Sequence, residues 1–463
     1  MCNNFSCSPS LFVMDRPRRS CLKVLEHCRV APPPDSVQPT ALRLTFFDII
    51  WMQIPPVQRL FFYNFSDPNT TTLLSNLKRS LSLALQIFYP LAGNLTHSPE
   101  TGHHEILYAD GDSVLLTIAE SDSDFEHLIG SHPRDVTDFH PFAPHLPGSD
   151  SLPAPVLSLQ VTLFPNSGFC IGISVHHVAA DGWTSTHFMK SWASICRTGD
   201  ASSIKQLPIY DRTVTNGMDW LTTKHFLEME KVKAKDCLDA LDVKSQPHAV
   251  RATFLLSRAH IERLRSWVAT RRVNGSEKDS RLSSFVLTIA YVWVRVVMAR
   301  GPEDDEKMAH LVFAVDYRAR LDPPLPAPYF GNCIGACFAH AVVGELTQED
   351  GVVVAAESIG RAIRGLEGDE VLKGAESWIR RAMELASDRV FSIAGSPRFR
   401  IYDTDFGWER PKKVEVLSIE GTGAMSLAES RDEEGGVEIG LALPDYEMNV
   451  FDSLFKEGLA SLS

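Results

Sequence analysis

Hydrophobic residues recur at three- and four-residue intervals in two segments of the first half of the chain. In residues 71–89 this spacing follows a Thr-rich start and stops before Pro90, which predicts an amphipathic helix. Residues 184–196 show the same period, and Thr184 or Ser185 is placed to cap this helix at its N-terminus. The first half of the chain is therefore predicted to contain two helices that each bury one face.

Other segments alternate apolar and polar residues or form short apolar runs, as strands do. Residues 156–164 and 168–177 alternate, and residues 311–317 (LVFAVDY) are typical of a buried strand. Short apolar runs separated by Gly-containing turns follow in residues 414–443. These patterns predict strands in both halves of the chain.

Residues 285–299 are apolar on every side and predict a buried helix that opens at Ser283 and Ser284. A last helix carries apolar side chains at Met448, Phe451, Phe455 and Leu459. Helices and strands are thus mixed in two halves of similar size. We expect an α/β or α+β fold with mixed sheets.

The length of 463 residues exceeds what one hydrophobic core usually organises, so we expect two domains. The polar, turn-rich stretch 198–218 is the best candidate for the connection between them. We predict a disordered leader over residues 1–20, an N-terminal domain over 21–200, a crossover linker over 201–220 and a C-terminal domain over 221–463.

Composition is that of an ordinary soluble globular protein, with 44% hydrophobic and 22% charged residues. The net charge of -13 disfavours binding to nucleic acid or to an anionic membrane, although a few local cations suffice for a phosphorylated cofactor. The nine cysteines are scattered without a zinc-binding pattern, and neither a signal peptide nor an apolar run of about 18 residues is present. We expect a cytoplasmic monomer with reduced thiols and no metal.

The segment 170–182 (CIGISVHHVAADG) carries the first candidate for chemistry. Strand alternation through this segment would place His177 on an apolar face and turn His176 the other way. Asp181 follows four residues after His177 and is suited to bracing the loop through an ion pair or backbone amides. A histidine at a strand end is more often simply hydrogen-bonded than catalytic, so spacing alone does not decide between these roles.

The second candidate is the run Asp405-Phe406-Gly407-Trp408 near the C-terminal end. A glycine between two aromatic residues indicates a tight bend with both rings packed. A structural turn is therefore the better interpretation, and direct catalysis by Asp405 is the lesser alternative.

A third group joins Asp316 and Arg318 to a proline-rich loop, followed by residues 329–333 (YFGNC). An arginine beside an aspartate at a strand end suits a buried ion pair between domains. The alternative is a loop whose prolines and aromatic rings only pack rigidly.

Together these segments resemble the plant BAHD acyltransferases. Residues 177–182 match the family's HxxxDG motif, and residues 405–408 match its DFGWG motif except for Glu409 in place of the last glycine. HxxxDG alone also occurs in chloramphenicol-acetyltransferase-like proteins and in condensation domains, so the DFGW run in the expected place carries much of the resemblance. YFGNC is similar to the anthocyanin and flavonoid-glucoside branch, and PKKVEVLSIEGTGAMSLAESRD to its malonyltransferases.

This resemblance implies two chloramphenicol-acetyltransferase-like domains with a solvent channel between them. It implies that His177 is a general base, that Asp181 supports it and pairs with an arginine, for which Arg318 is the candidate, and that the DFGW run is architectural. The reaction would move an acyl group, malonyl in preference, from acyl-CoA to a sugar hydroxyl of a flavonoid, anthocyanin or phenolic glucoside. It would need no metal, no bound cofactor and no covalent acyl-enzyme.

Candidates for binding the CoA phosphates are the helix start at Ser283 and Ser284 and four cations, for which solvated surface charge is the alternative. These cations are Arg271, Arg272, Lys412 and Lys413. Arg398 is the candidate for facing a malonyl carboxylate.

Three rival functions stay open at this point. A hydroxycinnamoyl donor is the nearest, a non-catalytic binding or regulatory relative is the second, and a carrier-protein condensation enzyme is the third. Glu409, which replaces the motif's glycine, bears on the non-catalytic alternative. A non-glycine residue at positive φ carries strain, and a carboxylate near bound CoA repels phosphate.

Overall fold

The structure is a computed structural model that describes residues 22–66, 69–147, 152–215, 217–231, 248–272, 282–301, 305–366, 371–385 and 390–462. The predicted leader, residues 1–20, lies outside these ranges.

The strands of the described chain are β1 (Leu22–Val30), β2 (Thr40–Arg43), β3 (Val57–Asn64), β4 (Asn94–His97), β5 (His104–Tyr108), β6 (Val114–Ser121), β7 (Arg134–Asp135), β8 (Ala154–Pro155), β9 (Leu157–Phe164), β10 (Gly168–Val175), β11 (Ala249–Leu256), β12 (Met308–Asp316), β13 (Ile334–Val342), β14 (Phe391–Gly395), β15 (Lys413–Val416), β16 (Met425–Glu429) and β17 (Val437–Pro444).

The four helices that hydrophobic periods predict are present among the described helices, at Thr70–Ile87, Gly182–Thr198, Ser284–Ala299 and Asp445–Ala460. They are α1 (Phe46–Ile49), α2 (Thr70–Ile87), α3 (Phe125–Ile129), α4 (Gly182–Thr198), α5 (Asp219–Met229), α6 (Arg258–Arg271), α7 (Ser284–Ala299), α8 (Val343–Leu346), α9 (Gly351–Arg364), α10 (Trp378–Glu384) and α11 (Asp445–Ala460). Among the described residues, no helix is both long and apolar enough to cross a bilayer.

Three sheets organise the described parts of the chain, which confirms the mixed α/β fold. A six-stranded sheet has the order β1-β6-β9-β10-β3-β15, and a seven-stranded sheet has the order β13-β12-β14-β16-β17-β11-β7. A smaller sheet has the order β2-β5-β4-β8. Helices α2 and α4 contribute to one large core with the six-stranded sheet, and α7, α9 and α11 contribute to a second core with the seven-stranded sheet.

The two large sheets exchange strands. Strand β15 comes late in the chain but pairs with β3 in the first sheet, whereas β7 comes early and pairs with β11 in the second. Buried Glu415 of β15 forms ion pairs with Arg134 of β7 at 2.9 Å and with Arg251 of β11 at 3.4 Å. The predicted domain boundaries stay predictions, since this exchange leaves no single cut between the halves.

Three local predictions are wrong. The N-cap of α4 is Asp181 rather than Thr184 or Ser185, because the Asp181 carboxylate accepts a hydrogen bond from the Thr184 amide at 2.8 Å. Strand β10 stops at Val175, so the histidine pair lies beyond the alternation that was expected to reach it. Strand β12 alternates between buried and more exposed residues because only one of its faces packs on the core.

Candidate active site

The loop between β10 and α4 carries the histidine pair. His176 is buried, its amide donates to the Val156 carbonyl at 2.9 Å, and its ring accepts from the Val178 amide at 3.4 Å. Burial lowers the pKa of His176 to about 4. His177 is half-buried. The loop therefore keeps one imidazole as a neutral structural group and leaves the other in partial contact with solvent.

Asn332, in the second half of the chain, forms hydrogen bonds with the histidine loop. Its side-chain amide donates to the carbonyl of His177 at 2.9 Å and to that of Val178 at 3.2 Å. The same amide donates at 3.0 Å to the carboxylate of Asp48, which is fully buried. The histidine loop is thus held between α1 and the segment that precedes β13.

Trp51 covers one face of the His177 ring. The two ring centroids lie 4.1 Å apart, and the planes are within 11° of parallel. The Nε1 atom of Trp51 is buried and forms no hydrogen bond with any residue that the structure describes. The stack restricts rotation of the imidazole, and no spacing in the sequence indicates it.

The environment of His177 keeps its ring neutral. Burial lowers its pKa, and hydrogen bonding to its own carbonyl and the charge of Asp181 offset this only in part. Atom Nδ1 is buried and makes no hydrogen bond of ordinary geometry with a described residue, although the side chain of Asn332 lies close enough to raise the pKa of the ring. Since His177 is half-buried and Nδ1 is enclosed, Nε2 is the ring nitrogen left towards solvent. A neutral ring with a proton on Nδ1 leaves the Nε2 lone pair free to accept a proton.

Asp181 is buried and points away from the histidine ring into the protein frame. One carboxylate oxygen caps α4, and the other accepts from the Cys333 amide at 3.2 Å and pairs with Arg318 at 2.8 Å. Burial acts to lower the pKa of Arg318, but the Asp181 carboxylate outweighs it and the pKa is raised. Arg318 therefore carries its charge against Asp181, the partner that the resemblance implied.

The DFGW run packs against the first sheet. Phe406 is buried and meets the ring of Trp192 edge-on at 4.9 Å, and Trp408 meets Phe169 edge-on at 5.7 Å. Asp405 lies 3.5 Å from Arg197, at the end of α4 opposite the histidine loop. The 15 residues from the start of α4 to this arginine span about 22 Å, so this carboxylate is remote from His177.

Glu409 adopts the left-handed backbone conformation, with φ of 70°. Its side chain is mostly exposed, and its ion pair with Lys412 is long at 3.9 Å. This is the position at which the family motif has glycine. A side chain with a Cβ is disfavoured there by about 1–2 kcal/mol.

We expect Glu409→Gly to raise the free energy of unfolding by up to about 1 kcal/mol, because relief of the backbone strain exceeds the extra chain entropy of glycine. Chemical denaturation measures this change. Glu409→Ala is the matched control, since it removes the carboxylate but keeps the Cβ. An equal gain in both variants would assign the effect to charge and contradict the strain argument.

The predicted phosphate site at the start of α7 is built from Ser283 and Ser284. Ser283 is exposed, and its hydroxyl is engaged in capping the helix by accepting from the Val286 amide at 3.2 Å. The Ser284 hydroxyl accepts from Arg265 at 3.3 Å, so a guanidinium lies beside this helix end. The assignment to CoA stays a prediction.

Two of the predicted cations face acidic residues. Arg271 lies 3.0 Å from Glu349 and 3.2 Å from Asp350, and Arg272 lies 3.8 Å from Glu357. Phosphate binding by either arginine would have to compete with these carboxylates.

The remaining predicted cations differ in exposure. Lys413 is buried and lies 3.6 Å from Glu438, so its ammonium is not presented to solvent. Lys412 is half-buried beside Glu409, and Arg398 is exposed. Lys412 and Arg398 stay candidates for contacts with a bound acyl-CoA.

The fold is shared with vinorine synthase, whose crystal structure superposes with a TM-score of 0.68 at 22% identity. The match covers 93% of this chain and 96% of that protein. The molecule thus has the fold of that protein.

The chain belongs to the Transferase family, the BAHD acyltransferases, which matches residues 22–457. It is 40% identical to phenolic glucoside malonyltransferase 2 of Arabidopsis thaliana, over 95% of this chain and 100% of that protein. It is 36% identical to coumaroyl-CoA:anthocyanidin 3-O-glucoside-6''-O-coumaroyltransferase 1 of the same plant, over 94% and 97% of the two chains. Enzymes of this family use acyl-CoA as co-substrate without a permanent cofactor, and the chain is an acyl-CoA-dependent transferase.

Proposed function

We propose that the enzyme transfers a malonyl group from malonyl-CoA to a sugar hydroxyl of a flavonoid, anthocyanin or phenolic glucoside, with His177 as general base. The observation that carries this proposal is the half-buried imidazole, neutral and stacked on Trp51, with Nε2 reaching solvent. The acyl group and acceptor class rest on the glucoside malonyltransferase of Arabidopsis thaliana.

The reaction needs a base because a sugar hydroxyl is a weak nucleophile at neutral pH. Nε2 of His177 takes the hydroxyl proton while the oxygen forms a bond to the thioester carbonyl carbon. The tetrahedral intermediate then expels CoA as a thiolate, which is a good leaving group because thiols ionise easily. The imidazolium returns the proton to the thiolate or to water, so the enzyme is restored without an acyl-enzyme.

Asp181 and Arg318 are positioning residues in this proposal. Their ion pair joins the first turn of α4 to the segment that follows β12, and the Cys333 amide bonds to the same carboxylate. Since the histidine loop ends where α4 begins, the pair holds the base at the boundary between the two halves. The DFGW run fixes the other end of α4.

We further place the enzyme in the cytoplasm as a monomer that binds neither membranes nor nucleic acid. Five cysteines in the described part of the chain are free thiols, as in a reducing compartment. The net charge of -13 disfavours polyanionic partners.

A donor and acceptor panel tests the reaction. We expect one phenolic glucoside to be acylated with malonyl-CoA, and its sugar-free phenol not to be, as measured by mass spectrometry of the products and by release of CoA thiol. Preference for coumaroyl-CoA would favour the second candidate, which the coumaroyltransferase relative supports. Absence of thiol release with every donor would contradict an active transferase.

A further inference from the structure

Arg59 is a buried cation beside the candidate active site. It lies on β3, opposite Ile173 of β10 on one side and Val416 of β15 on the other. Its side chain projects from the face of the sheet that packs against α4, and the residue is only 5% exposed. Because Ile173 is two residues before the end of β10, the guanidinium lies near the point where the histidine loop begins.

The partners of Arg59 are hydroxyl groups. The guanidinium donates to Thr186 Oγ1 at 3.0 Å and to Ser185 Oγ, both in the first turn of α4. Each hydroxyl donates in turn to a backbone carbonyl of the same turn, that of Asp181 at 2.8 Å and that of Gly182 at 2.7 Å. A guanidinium, two hydroxyls and the N-terminal turn of a helix therefore converge at one place.

No carboxylate balances this charge within the part of the chain that the structure describes. Burial alone lowers the pKa of Arg59 to about 10, without an acidic group acting on it. The other buried arginines of the frame differ, since Arg134 and Arg251 pair with Glu415 and Arg318 pairs with an aspartate. An unbalanced buried cation is costly, which is why buried charges are usually paired.

The charge of Arg59 acts on the candidate base, His177. Its positive field is one of the causes that lower the pKa of His177. The positive end of the α4 dipole points to the same region and favours an anion there. A carboxylate at this place would meet a guanidinium and the positive end of a helix, while the thioester carbonyl of the same short acyl group lay near the histidine. The two hydroxyls hold the guanidinium in place, since their protons are already donated to backbone carbonyls.

We propose that Arg59 is the counter-cation for the free carboxylate of the acyl donor, so that the site selects dicarboxylic acyl groups such as malonyl over uncharged ones. This inference rests on the proposed transferase function and adds the residue that sets donor preference. Arg398, the candidate from the sequence, is exposed, whereas Arg59 is enclosed and has no carboxylate partner among the described residues.

The test compares malonyl-CoA with acetyl-CoA, using one glucoside acceptor. Acetyl differs from malonyl by the missing carboxylate, so the ratio of the two kcat/KM values isolates recognition of that group. For Arg59→Met we expect this ratio to fall about 100-fold, and for Arg59→Lys less, because lysine keeps the charge but loses the fork of donors. The matched control is Arg79→Met, which removes a guanidinium that donates to the Gly199 carbonyl at the other end of α4.

Arg398→Met is a second comparison. If the malonyl-to-acetyl ratio of kcat/KM fell in Arg398→Met but not in Arg59→Met, the proposal would be overturned. An equal fall with both donors in Arg59→Met would show that the residue only supports α4, and would also overturn it. If Arg59→Met does not fold, Arg59→Lys carries the test, since an unchanged ratio there with lower stability contradicts a recognition role.

Calorimetric titration without acceptor separates this proposal from the function on which it rests. We expect wild-type enzyme to bind malonyl-CoA more tightly than acetyl-CoA and Arg59→Met to lose that advantage. Absence of the advantage in the wild type would refute the malonyl preference itself. Its persistence in Arg59→Met would refute the role of Arg59 while leaving the proposed transfer intact.

Discussion

Replacing His177 by alanine is expected to lower kcat by about 10²–10⁴-fold, the usual contribution of a general base. The effect follows from the position of Nε2, the ring nitrogen of half-buried His177 that is left towards solvent. Steady-state kinetics with malonyl-CoA and a phenolic glucoside measure it, and a melting curve verifies that the variant is folded. The assignment fails if the variant keeps most of its turnover.

The neighbouring imidazole supplies the control. His176 is buried and bonded to the backbone, so His176→Ala should lower the melting temperature and affect kcat less than loss of His177. The reverse order would mean that the two roles are exchanged.

The pH dependence of kcat/KM also tests His177 as the general base. Only the neutral imidazole accepts a proton, and burial holds the pKa of His177 below its ordinary value of about 6.5. We therefore expect kcat/KM to be constant near pH 7 and to fall only as the pH drops through that lowered value. The residual activity of His177→Ala should lack this acidic limb.

Replacing Asp181 by alanine is expected to destabilise the protein by about 3–5 kcal/mol, because the charge of Arg318 is left buried beside no strong partner. The carboxylate also caps α4, which contributes about 1 kcal/mol of that loss. Chemical denaturation measures the change, and kcat should fall as well since the histidine loop ends at this residue. Asp181→Asn with wild-type stability and rate would remove the positioning role.

Arg318 offers its own control, because it also lies 3.3 Å from the half-exposed carboxylate of Asp316. Asp316→Asn removes a charge from the same arginine, but a solvent-exposed pair contributes only about 0–1 kcal/mol. The double variant Asp181→Ala, Arg318→Met should recover part of the stability lost on replacing Asp181 alone, since no charge is then left unpaired.

Local patterns in the sequence predicted much of the fold. The helix of residues 284–299 followed from a segment that is mostly apolar, and it begins where Ser283 and Ser284 were expected to open it. The start of α4 was misplaced because Thr184 and Ser185 are as suitable for capping as Asp181, and periodicity does not distinguish among them. Only the hydrogen bonds of the folded loop decide which residue caps.

Sequence motifs indicated only part of the candidate site. His177 and Asp181 lie in one short segment, and the resemblance pointed to Arg318. Trp51 and Arg59 were not predicted. Trp51 lies in a turn and Arg59 on a strand, and both precede the histidine loop by more than 100 residues. Contacts of this kind depend on tertiary packing, which neither spacing nor hydrophobic period records.

The short strands β7 and β15 restrict how this enzyme can be recombined with its relatives. A chimera joined between the halves would set β15 of one parent against β3 of the other, and would place Glu415 opposite foreign residues in the positions of Arg134 and Arg251. Each half taken alone would lack an edge strand that the other half supplies. Exchange of donor or acceptor specificity is therefore better attempted by grafting loops than by swapping halves.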